Sequence, residues 1–504
     1  MQEHDSLRWP LGKLLEGWVN VQINHSDTSI TGLSLDSRSA SQGDLFFALQ
    51  GLQQHGVEYS QHAMANGATA LVWESSKEVK EEVLPHGIPC IELEGLHSKL
   101  GLICKRFYNN PSARINVIAV TGTDGKTSVS QFIAQTFNQL NVPCGVVGTL
   151  GYGVYPKFDD ASHTTPDAVH MHGLLYGFNV DGVSNVVLEA SSHGLSQGRL
   201  QGVEVNTAVF TNLGRDHMDY HKSYDDYFNA KKLLFQFSNL KNAVINVDDE
   251  AGARLVDEFS NSLNVVTYSI KSDAIKSDSY VNALNIEYAG GKTSFKVESS
   301  WGKADVKTKL FGKFNISNLL AVMGSLLVSG VKFDDAVNAI SFVNTVPGRM
   351  EFVSNGRDSS NANSPAVVVD YAHTPQALIN VLKVLREHCD GKLWCVFGCG
   401  GDRDQGKRKL MAEAVEQYAD WAVITDDNPR NEDPEIITNE IESGFLSTKY
   451  SLIHDRKLAI EYAVKHAGHE DIVLIAGKGH EAVQIVKHEH LPFDDKKVAS
   501  EFLG

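Results

Sequence analysis

Thr121-Gly122-Thr123-Asp124-Gly125-Lys126-Thr127 lies between the apolar run Ile115 to Val120 and a segment from Ser128 that reads as a helix. A strand, a glycine-bearing turn and a helix N-terminus together form a phosphate cradle. Gly122 and Gly125 let successive backbone N–H groups converge on phosphate oxygens, with Thr123 and Asp124 completing the loop. Lys126 offers a point charge, and the Thr127 hydroxyl is placed to ligate magnesium. The ordinary P-loop has a glycine where this chain has Val120. A bland glycine turn is the alternative, and the flanking strand and helix favour a nucleoside triphosphate site.

The chain has 504 residues, more than one hydrophobic core serves, and three domains are expected. With 42% hydrophobic and 21% charged residues it is globular rather than disordered or fibrous. A formal net charge of −17, with no basic tract to offset it, argues against a general nucleic-acid binder. No run approaches the roughly 20 apolar residues that cross a bilayer, and Met1 to Val19 lacks an apolar signal core. No membrane insertion is therefore expected. Cys90, Cys104, Cys144, Cys389, Cys395 and Cys399 show no disulfide framework, which suits a reducing cytoplasm. Cys395 and Cys399 read as strand and turn residues rather than zinc ligands.

The architecture reads as α/β in three parts: a small α/β domain over 1–110, a central P-loop ATPase-like parallel-sheet domain over 111–345, and a Rossmann-like domain over 346–504. The first holds strands Asp44 to Leu49 and Ala70 to Trp73 and a helical pattern Tyr59 to Asn66, and ends at the turn-forming Asn109-Asn110-Pro111-Ser112. The second repeats apolar strands at Asn185 to Leu188, Thr207 to Phe210 and Ala243 to Val247. It adds a hairpin through Ala289-Gly290-Gly291-Lys292 and a helix carrying Leu319, Leu320, Val322, Met323, Leu326 and Leu327. After Pro347-Gly348-Arg349 come strands Ala366 to Val369, Leu393 to Phe397, Trp421 to Thr425 and Ile472 to Ile475, without the dinucleotide fingerprint. Asn355 to Pro365 reads as a surface loop.

Polar groups fall just beyond the carboxyl ends of these strands, where open α/β sheets bind ligands. Glu189-Ala190-Ser191-Ser192-His193 follows one. Glu189 is either a magnesium ligand or a capping carboxylate. Thr211 to His221 follows the next, where His217 is a ligand, an orienting group or an ordinary loop histidine. Asp370-Tyr371-Ala372-His373-Thr374-Pro375 ends a third, with helix propensity resuming at Gln376.

Together these blocks, with Asn315-Ile316-Ser317-Asn318 and Pro347-Gly348-Arg349-Met350-Glu351, resemble the Mur ligase family, the ATP-dependent amino-acid ligases of peptidoglycan assembly. The resemblance spans nearly the whole chain. It implies an N-terminal domain for a UDP-sugar, a central ATPase and a C-terminal domain that brings the amino acid, whose closure excludes water. Asp124 stands where many members have asparagine. Leu35-Asp36-Ser37-Arg38 and Gly43 to Leu49 are similar to the branch that extends UDP-N-acetylmuramoyl-L-alanyl-D-glutamate. The resemblance places Leu35, Ser37, Thr164, Thr165, Ser191, Gln197 and Arg199 at that substrate, and Asn318, Arg349, Asp370 and His373 at ATP beside the loop Gly122 to Thr127. Lys126, Lys231 and His217 are the implied catalytic residues. Lys231 matches a lysine that is carbamylated in the family, although from the residues alone it is more simply a solvated helix lysine. Thr127, Glu189, His217 and carbamylated Lys231 would hold Mg2+, with ATP as co-substrate.

Asp427-Asn428-Pro429-Arg430 carries specificity. Meso-diaminopimelate differs from lysine by a distal carboxylate, which a guanidinium grips through paired charge-assisted hydrogen bonds. Arg430 thus favours diaminopimelate, and Arg403, Gly477 and Glu481 resemble the rest of that site. The implied partners are these small molecules alone, with no nucleic acid, for a cytoplasmic monomer. The same ligase using L-lysine, a folate polyglutamate ligase and a non-catalytic nucleotide-binding protein are the alternatives.

Overall fold

The computed structural model describes residues 7–51, 54–77, 79, 81–271, 277–289, 292–354 and 364–503. The chain packs as two compact units. One takes in the chain up to Ala119 with Val142–Asn206 and Gln236–Leu240, and the other holds Val120–Asn141, Thr207–Phe235 and everything from Lys241 onward.

In the first unit, four parallel strands Gly32–Ser34, Asp44–Ala48, Ala70–Glu74 and Cys90–Leu93 pair in sequence order, with Leu33 opposite Leu45, Phe46 opposite Leu71 and Val72 opposite Ile91. Alternation along a strand divides their side chains. Leu45, Phe47, Ala70 and Val72 pack with Ile103, Cys104 and Phe107 of the helix Leu100–Phe107, while Phe46, Ala48, Leu71 and Trp73 pack with Val57 and Ala63. The expected linker is a pinned joint. Asn109 and Asn110 take φ of 55° and 51°, conformations asparagine tolerates, and Asn110 Nδ2 and Ser112 Oγ both bond Glu204, one to its carboxylate and one to its amide. Further along, Asn185–Glu189 runs parallel to Cys144–Gly148, which pairs antiparallel with Gly151–Val154.

The strand Asn116–Thr121 begins in the first unit and ends in the second. Its last residue accepts a hydrogen bond from Thr211 N at 3.0 Å. The helix that follows spans Lys126–Gln139 and so opens two residues before the expected Ser128, because Gly125 at φ 84° supplies the turn. Strands Thr207–Phe210, Asn242–Asn246, Asn264–Ser269 and Ser279–Ala289 are parallel, and Lys292–Ser299 and Gly302–Thr308 continue antiparallel. Ala289 opposes Lys292 as the hairpin requires, and Gly290 and Gly291 lie outside the described residues. The apolar residues from Leu319 to Leu327 lie on the helix Lys313–Val328.

The C-terminal sheet is doubly wound. Ala366–Asp370, Ile472–Ala476, Leu393–Phe397, Trp421–Ile424 and Tyr450–Leu452 lie side by side in that order, all parallel, with Glu351–Ser354 antiparallel at one edge. Leu378, Leu382, Met411, Val415, Ile437 and Ile441 cover one face, and Ala459, Ile460, Ala463, Val498 and Leu503 the other. The chain crosses over Ile472–Ala476 when it passes from Asp370 to Leu393, so the switch point lies beside the ends of these strands. Pro375 is the first residue of the helix Pro375–Glu387 with Thr374 as its cap, one residue earlier than expected, because proline suits the first helical position. Most of the expected loop Asn355 to Pro365 lies outside the described residues. Cys395 sits inside a strand and Cys399 just beyond it, both as free thiols.

Candidate active site

The phosphate loop is braced from behind. Thr123 N donates to Asn212 O at 2.9 Å, Asp124 N to Asn212 Oδ1 at 2.9 Å, and Thr211 Oγ1 to Asp124 O at 2.6 Å. A Cβ on Gly122 would lie 1.8 Å from Thr211 Oγ1, and one on Gly125 2.8 Å from Asn318 Oδ1. Only glycine fits at either place. Lys126 Nζ donates to the carbonyls of Gly122 and Thr123, both at 2.9 Å, and Thr127 is buried at the start of its helix.

Lys231 overturns its bland interpretation. It is 1% exposed, its Nζ donates to Gly122 O at 2.7 Å and lies 4.2 Å from the centre of the Tyr227 ring. The Tyr227 hydroxyl meets Thr123 Oγ1 at 3.1 Å, so the same tyrosine touches lysine and loop. Burial, reinforced by the charge of Lys126, holds the Lys231 amine well below the usual lysine range against the pull of Asp216 and Asp124.

Asp216 is a buried junction that the sequence showed only as part of a block. Its Oδ1 accepts from Lys407 Nζ at 3.1 Å and His217 N at 2.9 Å, and its Oδ2 lies 3.4 Å from His373 Nε2. Burial pushes the carboxyl up, but the His373 hydrogen bond and the charges of Lys407 and His217 outweigh it and hold Asp216 well below the carboxylate range. His217 takes φ 57°, a left-handed conformation that few residues with a Cβ adopt. Lys407 was not foreseen: it lies 191 residues from Asp216, and nothing in Gly406-Lys407-Arg408-Lys409 marks one lysine as buried.

Asp370 accepts backbone hydrogen bonds from Met350 and Ala372, both at 2.7 Å, and burial raises its carboxyl despite Arg349 nearby. The Arg349 guanidinium lies 4.1 Å from the centre of the Tyr371 ring, which also meets His373 and His480 at 4.6 and 5.5 Å. This aromatic and cationic cluster brings Arg349, Asp370 and His373 together.

Asp427, Asn428, Pro429 and Arg430 follow the strand Trp421–Ile424 and lie under a hairpin formed by Val483–Val486 and Glu489–Pro492. Arg430 N donates to Ile485 O at 3.1 Å, Lys487 N to Arg430 O at 2.7 Å, and Gln484 Nε2 to Asp427 O at 2.8 Å. Arg430 at φ 52° donates from Nη1 to Gly401 O at 2.8 Å. Burial, then the charge of Arg403, depresses its guanidinium. A Cβ on Gly400 would come 2.7 Å from Arg430 Nη1, and one on Gly477 2.6 Å from Asp427 Oδ2. Glu481 Oε2 accepts from Asn428 Nδ2 at 2.9 Å. Arg403 is exposed one residue beyond Asp402.

The first unit holds its own polar network. Glu189 accepts from Thr149 N through Oε1 and from Thr149 Oγ1 through Oε2, both at 3.0 Å, and Thr149 Oγ1 meets Thr164 Oγ1 at 3.0 Å. Thr165 Oγ1 donates to Glu189 O at 2.6 Å and lies 3.0 Å from Ser191 Oγ, which caps the helix Ser192–Ser196. Arg199 donates to Thr165 O at 2.6 Å and to Gln197 Oε1 through Nε and Nη2. Thr164, Thr165, Ser191, Gln197 and Arg199 thus form one connected set. Ser37 belongs to another, with its Oγ 3.0 Å from His62 Nδ1 and its carbonyl bonded by Asn66, and Leu35 packs partly buried on the N-terminal core.

Three family models match successive stretches: the Mur ligase family catalytic domain over residues 29–108, the Mur ligase middle domain over 120–326, and the Mur ligase glutamate ligase domain over 348–479. A relative from Coxiella burnetii, named UDP-N-acetylmuramoyl-L-alanyl-D-glutamate--2,6-diaminopimelate ligase, is 43% identical over 482 residues, 95% of this chain and 96% of its own. The chain belongs to the Mur ligase family. A second ligase of that name, from Alkalilimnicola ehrlichii, is 42% identical over 98% of both chains. Among solved structures, a ligase with the same name matches this Mur ligase with a TM-score of 0.68 at 35% identity, over 98% of both chains. The MurF ligase of Thermotoga maritima, in complex with ADP, matches with a TM-score of 0.65 at 18% identity over 94% of this chain and 96% of its own, a likeness of fold. No helix among the described residues of this Mur ligase is long and apolar enough to cross a membrane.

Proposed function

We propose that this Mur ligase joins meso-diaminopimelate to the D-glutamate side-chain carboxylate of UDP-N-acetylmuramoyl-L-alanyl-D-glutamate at the expense of ATP, in peptidoglycan precursor synthesis. The observation that carries the amino-acid choice is Arg430, whose backbone is clamped by the hairpin and whose guanidinium is fixed on Gly401 O, beyond the carboxyl end of the strand Leu393–Phe397. A fixed guanidinium suits the distal carboxylate that lysine lacks. Similarity over nearly the full length to ligases named for diaminopimelate supports the same choice.

In this scheme the D-glutamate carboxylate attacks the γ-phosphorus of ATP, ADP leaves, and an acyl phosphate forms. The neutral amine of diaminopimelate adds to that carbonyl, and the tetrahedral intermediate expels inorganic phosphate, leaving an amide. Lys126 and the loop amides neutralise charge on the phosphates. Asn318, Arg349, Asp370 and His373 hold the rest of the nucleotide. Thr164, Thr165, Ser191, Gln197 and Arg199 bind the UDP-sugar dipeptide with Leu35 and Ser37, and Arg403, Asp427 to Arg430, Gly477 and Glu481 bind the amino acid.

The residues fit a magnesium ion of the kind that phosphates bring. Thr127 is a buried hydroxyl at the start of the helix that follows the loop. Thr127 and His217 would hold it with Lys231 as a carbamate, and the family pattern adds Glu189. When bound, the ion offsets phosphate charge. Lys231 is suited to carbamylation because a buried amine held below the lysine range is the neutral nucleophile that carbon dioxide requires. The domain limits 1–110, 111–345 and 346–504, a cytoplasmic location and a monomeric state complete the proposal.

Phosphate release tests it, with ATP, magnesium and the UDP-linked dipeptide, comparing meso-diaminopimelate with L-lysine. Release with diaminopimelate alone, with the tripeptide product confirmed by mass, is expected. Preference for lysine overturns the role of Arg430, and no turnover with either overturns the ligase.

A further inference from the structure

Lys478 lies in the segment Gly477 to Glu481 yet is fully buried, so its ammonium has no path to a substrate. All three of its N–H donors have acceptors: Asn428 Oδ1 at 3.0 Å, Glu481 Oε2 at 3.2 Å and Val483 O at 2.6 Å. Asn428 Oδ1 accepts a second hydrogen bond from Ile485 N at 2.9 Å. With two donors on one side, the amide of Asn428 has a single orientation, and its NH2 points to Glu481 Oε2 at 2.9 Å. The lysine, asparagine and glutamate therefore form a closed triangle, tied to the first strand of the hairpin through Val483 and Ile485.

We infer that Lys478 is a positioning residue of the amino-acid pocket, fixing which face of the Asn428 amide and which oxygen of Glu481 are offered to diaminopimelate. Glu481 Oε2 is occupied by two internal donors, and among the described residues Oε1 accepts none, so Oε1 is the oxygen presented to a ligand ammonium. The second Asn428 N–H makes no hydrogen bond among the described residues. Asn428 stands in the same hairpin-covered segment as Arg430, and Glu481 is tied to it through Oε2. An acceptor, a donor and a cation match the distal ammonium and carboxylate of diaminopimelate. Without Lys478, Asn428 Oδ1 keeps only the Ile485 N–H and Glu481 Oε2 only the Asn428 N–H, so both side chains are held less tightly and the pocket loses definition although no group that touches the ligand is removed. The inference rests on the assignment of Asp427 to Arg430 and Glu481 to the amino-acid site.

The test is steady-state kinetics of the full chain with each substrate varied in turn, in wild type, K478M, N428A, K478M/N428A and R430A. K478M is expected to raise KM for diaminopimelate roughly tenfold to a hundredfold, the scale of a lost buried hydrogen-bonded anchor. KM for ATP and for the UDP-linked dipeptide should move less than about twofold. The part of the effect that passes through Asn428 is already absent in N428A, so adding K478M to N428A should raise KM for diaminopimelate by a smaller factor than K478M does in wild type. A merely structural lysine would raise all three KM values or lower kcat alone, and its effect would add to that of N428A; either result overturns the inference. R430A separates the two levels. If it leaves KM for diaminopimelate unchanged, or if wild type does not turn over, the site assignment fails and the inference with it. If R430A raises that KM and K478M does not, the inference alone fails. Should K478M not be recovered folded, K478R, which keeps the charge but spreads its donors over a planar fork, takes its place in the same cycle under the same criteria.

Discussion

Removing the Asp216 charge should destabilise the second unit far more than an exposed carboxylate would. Asp216 and Lys407 meet at 3.1 Å with side chains each 7% exposed. At an effective dielectric near 20 their attraction is about 5 kcal/mol before desolvation is subtracted. Breaking a buried pair at one end strands the other charge, so D216N and K407M should each cost about 3–5 kcal/mol. In D216N/K407M no stranded charge remains, and the double variant should lose no more than either single one, a coupling of at least about 3 kcal/mol. Urea unfolding followed by tryptophan fluorescence measures this. The pH dependence follows from the direction of the shift. Asp216 is held well below its unfolded value of 3.8, so its contribution is complete above 3.8 and is lost as pH falls through the folded value. The gap between wild type and D216N should close over that acid range. Single variants that lose under about 1 kcal/mol, or losses that simply add, would refute the description of Asp216 as a buried ionic junction.

Gly125→Ala places a Cβ 2.8 Å from Asn318 Oδ1 at a φ of 84°, so KM for ATP should rise roughly tenfold and stability fall by about 1–2 kcal/mol; an unchanged KM for ATP would speak against a cradle at this loop. Gly148→Ala sets a Cβ 2.2 Å from Glu189 Oε1 and should cut phosphate release at least roughly tenfold in a folded protein, since nothing flexible is available to yield except Glu189 itself; circular dichroism alongside the assay checks both halves. Burial, then Arg349, lowers His480 from 6.5 to about 4, so its contribution is complete above pH 6.5 and is lost as pH falls towards 4. His480→Gln should flatten the slope of urea midpoint against pH in that interval, and an unaltered slope would contradict the burial argument.

The fold was legible wherever an apolar run is continuous. Thr207–Phe210 and Leu393–Phe397 are buried on both faces and their limits match the sequence pattern. Cys144–Gly148, which holds two glycines, and Asn264–Ser269, which mixes Asn, Thr and Ser with its valines, gave no comparable signal. The strand, glycine turn and helix around Thr121 to Thr127 were legible because their signals are contiguous. Burial of Lys231 was not, because Lys231 and the partly exposed Lys232 are neighbours on one short helix, and what buries Lys231 includes Gly122, 109 residues away in sequence. Lys478 follows Gly477 directly, but no local pattern distinguishes a lysine that satisfies an asparagine 50 residues away from one that meets solvent.

Asp216 touches three separate stretches of chain: its own loop through His217, the turn after Asp370 through His373, and the helix Gly406–Tyr418 through Lys407. That helix begins at Gly406, just after the segment Gly400 to Arg403 that backs Arg430. One carboxylate therefore links residues assigned to the nucleotide with residues assigned to the amino acid, and a ligand that moves His373 alters the strength of the bond to Lys407. Thermodynamic linkage makes such an effect reciprocal: whatever factor ATP imposes on the affinity for diaminopimelate, diaminopimelate must impose on the affinity for ATP.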